Sequence, residues 1–135
     1  MRFAFVASDT SVAQQARRKL VERYGDVPAA EAELIVALGG DGFMLRTLHA
    51  HLALGVPVYG MKLGRVGFLM NKHRLDGLPE RVARAHAAEL FPLEMLATDT
   101  DGEPRRALAF NEVSLLRQSN QAAHVEVKLN EAVKL

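Results

Sequence analysis

Residues 34–42 read LIVALGGDG, an unbroken apolar run followed at once by two glycines, an aspartate and a third glycine. A continuous apolar run between chain-breaking residues is typical of a strand buried on both faces of a parallel sheet. A helix is predicted to follow over residues 43–54 and to end at Gly55. The junction therefore predicts a tight strand-to-helix turn at the carboxyl edge of a sheet, where open α/β sheets bind their ligands.

The sequence around this junction continues the alternation of strand and helix. A short apolar run at residues 3–7 precedes a helix that is predicted from Val12 to Gly25. A third strand is predicted at residues 56–59 and is closed by Gly60. Strand–helix–strand–helix–strand is the pattern of a Rossmann-like parallel α/β sheet.

The hydrophobic period changes near residue 91. Before it, Pro79 is placed for the first turn of a helix that is predicted to reach about Leu90. After it, alternating apolar residues and a turn signal at residues 99–102 predict antiparallel strands. The predicted strands cover residues 91–95, 108–115, 124–129 and 132–135, with a turn at 130–131. We therefore expect an α/β nucleotide-binding domain over residues 1–91 and the opening strands of an incomplete, all-β domain over residues 92–135.

Composition excludes several classes of protein. The chain has 135 residues, of which 49% are hydrophobic, and its formal net charge is +1. Zero cysteines exclude a disulfide scaffold, a thiolate metal site and a cysteine nucleophile. No apolar run approaches the ~18 residues of a membrane span, and the five histidines have no metal-ligand spacing. We expect a cytoplasmic protein with no nucleic-acid partner, no membrane partner and no metal ligands of its own.

Asp41 is the residue of the first glycine cluster that can carry chemistry. Glycines at a strand-to-helix turn let backbone N–H groups approach an anion, and the helix N-terminus adds its positive dipole end. An aspartate repels phosphate, but it can remove the proton of a substrate hydroxyl during phosphoryl transfer. The alternative is that Asp41 only caps the helix. The three neighbouring glycines favour the phosphate site.

A second glycine cluster, residues 59–70, follows the third predicted strand and so lies at the same sheet edge as Asp41. Within it, Lys62 and Arg65 could bind phosphate, and Phe68 could offer a ring face to a base. An ordinary turn with Phe68 in the core explains the cluster equally well.

Asn111 and Glu112 interrupt an otherwise apolar predicted strand. A buried amide beside a buried carboxylate needs partners, which the amine and hydroxyls of a ligand could supply. A solvent-facing bulge is the alternative.

Three elements in this order and at these separations, residues 39–42 (GGDG), 64–69 (GRVGFL) and 110–113 (FNEV), resemble NAD kinase. The first motif alone is also similar to diacylglycerol and sphingosine kinases and to 6-phosphofructokinases. The other two motifs make the match to NAD kinase strong. The resemblance covers nearly the whole chain. It implies transfer of the γ-phosphoryl group of ATP to the 2′-hydroxyl of the adenosine ribose of NAD, giving NADP.

The resemblance also implies residue roles. Asp41 would be the catalytic proton acceptor, and it would also hold the ribose hydroxyls. Gly39, Gly40 and Gly42 would frame the phosphates, and Arg46 would contact the ligand. Phe68 would flank the adenine, and Asn111 and Glu112 would hold the adenosine half of NAD. Phe43 is a departure, because many family members carry threonine there.

The resemblance further implies that a divalent metal ion, most simply Mg²⁺, is held mainly through the ATP phosphates, with ATP or polyphosphate as donor. It implies a homo-oligomer in the full-length form. The family's remaining β domain is missing from the sequence, so we expect a fragment, inactive alone. Two alternatives stay open: a lipid kinase of the diacylglycerol kinase type, and a nucleotide-binding module without catalysis.

Overall fold

The computed structural model describes residues 1–134, and the chain divides into two compact units, Met1–Phe91 and a second that begins at Pro92. The first unit contains β1 (Phe3–Ala7), α1 (Ser11–Tyr24), β2 (Leu34–Gly39), α2 (Asp41–Ala50), β3 (Val58–Lys62), β4 (Asn71–Lys72) and α3 (Leu78–Ala83). The second contains β5 (Leu93–Thr98), β6 (Pro104–Ala109), β7 (Lys128–Leu129) and β8 (Ala132–Val133).

The first unit is built on a four-stranded parallel sheet with the order β1-β2-β3-β4. Every residue of β2 is buried, which confirms the doubly buried strand predicted from its apolar run. Val36, at its middle, lies opposite Phe5 of β1 and Tyr59 of β3. The α/β class and the parallel sheet are confirmed.

The two long helices pack on opposite faces of this sheet. Leu34, Val36 and Leu38 of β2 share one hydrophobic cluster with Ala16 and Leu20 of α1. The intervening Ala37 belongs to a second cluster with Met44 of α2 and Met70. Because successive side chains of a strand point to opposite faces, α1 covers one face and α2 the other.

The predicted first helix is confirmed by its caps. Thr10 is the N-cap, and its hydroxyl accepts a hydrogen bond from the Ala13 N–H at 3.3 Å. Gly25 ends the helix with φ +76°, a conformation that favours glycine.

In the described part of the chain, residues 1–134, no helix has the length and apolarity that crossing a bilayer requires.

Three predicted boundaries in the first unit are wrong. The helix predicted over residues 43–54 runs as α2 from Asp41 to Ala50 and gives way to a 3₁₀ turn, Leu52–Leu54, before Gly55. The third strand lies two residues later than predicted, so Gly60 is inside β3 and does not close it. The last helix, α3, stops at Ala83, well before Leu90, which is 49% exposed and lies outside the hydrophobic core.

The second unit consists of two short antiparallel hairpins. β5 and β6 pair across the predicted turn, where the Asp99 carboxylate accepts hydrogen bonds from the N–H groups of Asp101 and Glu103. β7 and β8 pair across Asn130 and Glu131, both with positive φ, which confirms that turn.

Three strand predictions in the second unit are wrong. The strand predicted over residues 91–95 runs as β5 from Leu93 to Thr98. The strand predicted over residues 108–115 begins at Pro104 and ends at Ala109, because Asn111 adopts φ +75° and turns the backbone out of the extended conformation. The strand predicted over residues 124–129 is limited to β7. The strand predicted over residues 132–135 is β8, and its predicted last residue, Leu135, lies outside the described residues.

Candidate active site

The site begins where β2 passes into α2. Gly40 is extended, with φ −114° and ψ −176°, and serves as the N-cap, so that Asp41 is the first helical residue. The N–H groups of Phe43 and Met44 both donate to the carbonyl of Gly40 at 3.0 Å. N–H groups that precede them in the first turn have no intrahelical acceptor, which leaves donors for an anion.

The Asp41 carboxylate is held by the loop between β3 and β4. The Phe68 N–H donates to Oδ2 at 2.8 Å, and the Leu69 N–H donates to Oδ1 at 3.0 Å. These are its hydrogen bonds among residues 1–134, and neither donor belongs to α2. The alternative that Asp41 only caps its own helix is therefore wrong.

These two hydrogen bonds favour the charged form of the carboxyl group. The pKa of Asp41 is lowered first by the Phe68 N–H, then by the Leu69 N–H, and further by the charge of Lys62, with desolvation opposing them. Hydrogen bonds that favour the charged form lower a carboxyl pKa. Asp41 is therefore an ionised carboxylate at neutral pH.

Lys62, the last residue of β3, is hydrogen-bonded to the same loop. Its ammonium group donates to the carbonyl oxygens of Arg65, at 3.5 Å, and Gly67, at 3.4 Å. A Cβ at Gly67 would lie 3.3 Å from the Lys62 side chain and from Met70, so the backbone approaches closely here. The second glycine cluster thus lies beside Asp41, as its position after β3 predicts.

The loop presents apolar side chains next to the carboxylate. Phe68 is 93% exposed, and Val66 and Leu69 are exposed as well. The alternative that Phe68 lies in the core is wrong. An exposed ring whose backbone is fixed offers a face for stacking.

The glycines of the first cluster differ in what surrounds them. A Cβ built on Gly39 would lie 2.8 Å from the Cβ of Phe43, so packing alone requires glycine there. Apart from adjacent residues and, for Gly42, the backbone of its own helix, a Cβ on Gly40 or on Gly42 would meet no atom of residues 1–134 within 4 Å. Internal packing therefore gives no reason for glycine at these two positions, and the space beside them is open.

Arg46 lies on α2, exposed, five residues after Asp41. Its guanidinium carbon is 5.8 Å from the centroid of the Phe43 ring, a cation–π contact. Phe43 thus lies against both Arg46 and the close-packed Gly39.

Asn111 and Glu112 belong to the second unit. Both are exposed, and they follow the end of β6 at Ala109. The expectation that they interrupt a continuous strand is wrong, because the backbone turns at Asn111 itself.

Sequence reasoning missed two contributors to the site, Leu69 and the loop-fastening role of Lys62. Leu69 acts through its backbone N–H, which every residue except proline carries. The spacing of the glycines indicated the loop but not which of its N–H groups binds Asp41.

Residues 3–87 match the family described as the ATP-NAD kinase N-terminal domain. The chain is 57% identical over 129 residues to a protein named NAD kinase from Xylella fastidiosa (strain Temecula1 / ATCC 700964), covering 96% of this chain and 49% of the relative. It is 56% identical over 131 residues to an NAD kinase from Xanthomonas campestris pv. campestris (strain 8004), covering 96% and 51%. It is 51% identical over 134 residues to an NAD kinase from Caulobacter vibrioides, covering 99% and 52%. The chain spans about half the length of the curated relatives it matches.

Proposed function

The chain belongs to the ATP-NAD kinase family, and on that premise we propose that its site serves the transfer of the γ-phosphoryl group of ATP to the 2′-hydroxyl of the adenosine ribose of NAD, giving NADP. The observation that carries the proposal is the Asp41 carboxylate, ionised, fixed by two loop N–H groups and placed beside open glycine positions. A proton acceptor next to a phosphate-binding turn is what transfer to a hydroxyl requires.

In the proposed reaction Asp41 accepts the proton of the 2′-hydroxyl while the ribose oxygen forms a bond to the γ-phosphorus. The bond between that phosphorus and the bridging oxygen breaks, and ADP leaves with the electron pair. A carboxylate has about four lone-pair sites, of which Phe68 and Leu69 occupy two, so acceptor capacity remains for the hydroxyl. The lowered pKa makes Asp41 a weak base, which suits a loose transition state that needs little early deprotonation.

The remaining residues would bind and orient the two nucleotides. The open space at Gly40 and Gly42 would let phosphate oxygens approach the backbone, and Arg46 would pair with their charge. The exposed Phe68 ring would lie against the adenine. Asn111 would hold the adenosine half of NAD.

Glu112, which follows Asn111, would also hold the adenosine half, and Gly39 would frame the phosphates through its backbone. Gly39 has in addition the structural role set by its contact with Phe43. All of these roles follow from the family resemblance, and each can be tested by substituting the residue.

We propose that Mg²⁺ would be held mainly by the phosphates of ATP, where it would supply neutralisation of their charge. Among residues 1–134 no three His, Asp or Glu side chains are grouped as metal ligands. The family also favours a cytoplasmic enzyme that forms a homo-oligomer. Its proposed substrates require neither a nucleic acid nor a membrane surface.

The test uses a chimera in which residues 1–135 are continued by the C-terminal remainder of the Xylella fastidiosa relative. Purified chimera, Mg²⁺ and NAD are incubated with ATP or with inorganic polyphosphate, and NADP is read with an NADP-specific dehydrogenase. We expect NADP formation, and the donor that supports it identifies the phosphoryl source. The isolated chain, half the length of its relatives, is expected to be inactive in the same assay.

The control is the same incubation with diacylglycerol vesicles in place of NAD. Phosphorylation of the lipid without NADP formation would overturn the proposal in favour of a lipid kinase. Nucleotide binding without any transfer by a folded chimera would overturn it in favour of a non-catalytic module.

A further inference from the structure

One peptide group lies between the Lys62 ammonium group and the Asp41 carboxylate. The carbonyl oxygen of Gly67 accepts a hydrogen bond from Lys62 Nζ at 3.4 Å. The N–H at the other end of the same peptide bond is that of Phe68, and it donates to Asp41 Oδ2 at 2.8 Å. The cation and the anion are therefore joined through the two ends of a single planar group, the Gly67–Phe68 peptide.

This arrangement polarises the Gly67–Phe68 peptide in one direction. A cation at the carbonyl oxygen draws electron density away from the N–H, which makes that N–H a stronger donor to the carboxylate. Hydrogen bonds linked in this way strengthen one another, by about 10–30% per bond. Because Lys62 forms no direct ion pair among residues 1–134, the hydrogen-bonded connection between its charge and Asp41 runs through this peptide.

The position of Lys62 in the sheet brings it to this peptide. Lys62 ends β3 and lies opposite Gly39, the last residue of β2, two residues before Asp41. A second hydrogen bond from its ammonium group, to the Arg65 carbonyl at 3.5 Å, holds an earlier point of the same loop. At Gly67 the backbone passes so close to the Lys62 side chain that an added Cβ would lie 3.3 Å from its Cδ.

The ionisation of Asp41 agrees with this connection. Its pKa is lowered first by the Phe68 N–H, then by the Leu69 N–H, and then by Lys62, which is the one charged group that contributes among residues 1–134. Arg46 lies on the same helix as Asp41, but its guanidinium group faces the Phe43 ring.

We propose that Lys62 is a positioning residue for the reaction, because its ammonium group holds the Gly67–Phe68 peptide that in turn fixes the Asp41 carboxylate. The inference rests on the proposed function of Asp41 as proton acceptor. Lys62 acts through Gly67 and Phe68, and the lone pairs of Asp41 that the loop does not occupy stay directed at the ribose hydroxyl. A misplacement of about 1 Å at a reacting group can cost about 10²-fold in rate. Loss of the ammonium group should therefore lower turnover more than nucleotide affinity.

Three variants separate the charge of Lys62 from its packing. Lys62→Met removes the ammonium group and keeps an unbranched side chain of similar length beside Gly67. Lys62→Arg restores a cation. The matched control is Lys72→Met, because Lys72 lies opposite Lys62 on β4, is exposed and takes no part in the hydrogen bonds that hold the loop.

The first measurement is an NMR titration of the Asp41 carboxyl carbon in the 135-residue chain, without nucleotide. We expect the pKa of Asp41 to rise in Lys62→Met and to stay lowered in Lys62→Arg and Lys72→Met. The amide hydrogens of Phe68 and Leu69 should exchange about tenfold faster in Lys62→Met, the order of a lost charge-assisted hydrogen bond. An unchanged pKa together with unchanged exchange rates would overturn the inference.

The parent chain supplies a check that needs no substitution. If the Phe68 N–H is bound to the Asp41 carboxylate, its chemical shift and that of the Gly67 carbonyl carbon should change with the midpoint of the Asp41 titration. Shifts that do not follow Asp41 would overturn the inference, whether or not Lys62→Met folds.

The second measurement is steady-state kinetics of the chimera. Lys62→Met should lower kcat about 10- to 100-fold with little change in KM for NAD or ATP, and Lys62→Arg should recover most of that loss. The acid limb of the pH profile of kcat should move to higher pH in Lys62→Met, because that limb reports the ionisation of the proton acceptor. A loss confined to KM for ATP would overturn the inference, since Lys62 would then bind phosphate directly. An equal loss of kcat in Lys72→Met would overturn it as well.

The two measurements distinguish this inference from the proposed function. A parent chimera that forms no NADP would contradict the proposed function, while the Asp41 titration would still decide whether Lys62 holds the carboxylate. Conversely, an active chimera in which Lys62→Met keeps the parent kcat would overturn the positioning role of Lys62 alone.

Discussion

Replacing Gly39 by alanine should move the residue on which the proposed chemistry depends. The added Cβ would lie 2.8 Å from the Cβ of Phe43 and 3.0 Å from two of its ring atoms. Carbon atoms in ordinary contact are about 3.5–4.0 Å apart, so the shortfall is about 0.7 Å or more. The atom in the way is a Cβ, which moves only with its backbone. The first turn of α2, which carries Asp41, must therefore shift.

The cost of Gly39→Ala follows from this geometry. Overpacking a closely packed site costs about 1–3 kcal/mol, and the lower entropy of the unfolded alanine chain returns about 0.4–1 kcal/mol. The expected net loss of about 1–2 kcal/mol lowers the Tm of a unit of this size by about 4–16 °C. The measurement is thermal unfolding followed by circular dichroism.

Gly42→Ala is the matched control, because it makes the same chemical change in a position where, apart from adjacent residues and the backbone of α2, no atom of residues 1–134 lies within 4 Å of the added Cβ. Since Gly42 lies in α2, alanine should leave the Tm unchanged or raise stability by up to about 1 kcal/mol. In the chimera, however, its Cβ would fill the space assigned to phosphate and lower kcat/KM. Equal Tm values for Gly39→Ala and the parent would refute the packing argument, and full activity of Gly42→Ala would refute the phosphate assignment.

Three further substitutions test the exposed ring of Phe68, the hydroxyl of Tyr24 and the half-buried His73. Phe68→Ala should leave the Tm unchanged, since the ring is 93% exposed. It should weaken NAD binding by the chimera about 5- to 100-fold, because stacking of a base on an aromatic ring contributes that much to binding. Equal Kd values for variant and parent would show that Phe68 does not contact NAD. Tyr24→Phe should lower the free energy of unfolding in urea by about 1–2 kcal/mol. The reason is that the Tyr24 hydroxyl donates to the Leu75 carbonyl at 2.9 Å and accepts from the Leu78 N–H at 3.3 Å. An unchanged urea midpoint would contradict this. Because the pKa of His73 is lowered by folding, the unfolded chain takes up its proton first as the pH falls below about 6.5, so stability should decline there. His73→Gln should flatten that decline, and an identical pH profile would show that other groups cause it.

The sequence predicted the first unit well where local signals agreed. β1, α1 and β2 combine apolar runs or helical periodicity with capping residues, and these elements formed as expected. Gly60 misled because glycine usually ends a strand. In β3 it stays in the strand and makes room for Met70, whose Sδ would lie 2.5 Å from an added Cβ. That requirement comes from residues distant in sequence, so no local pattern reveals it.

The site was predictable in its residue types but not in its contacts. The Gly-Gly-Asp-Gly turn and the loop after β3 were placed at one sheet edge from the order of elements alone. The partners of Asp41 are backbone N–H groups, whose positions depend on the fold of the loop and not on the identity of its side chains. Asn111 was assigned to a strand because its neighbours are apolar, whereas asparagine readily adopts the positive φ that ends β6.

The central claim is that Asp41 accepts the proton of the ribose hydroxyl, and the most direct measurement is kcat and NAD Kd for Asp41→Asn in the chimera. The asparagine keeps one oxygen acceptor for the loop N–H groups but no longer carries a basic carboxylate. Loss of a general base costs about 10²–10⁴-fold in turnover, so we predict that drop in kcat with Kd for NAD within several-fold of the parent. A kcat within tenfold of the parent, or a loss confined to Kd, would contradict the claim and leave Asp41 as the anchor of the Phe68 loop.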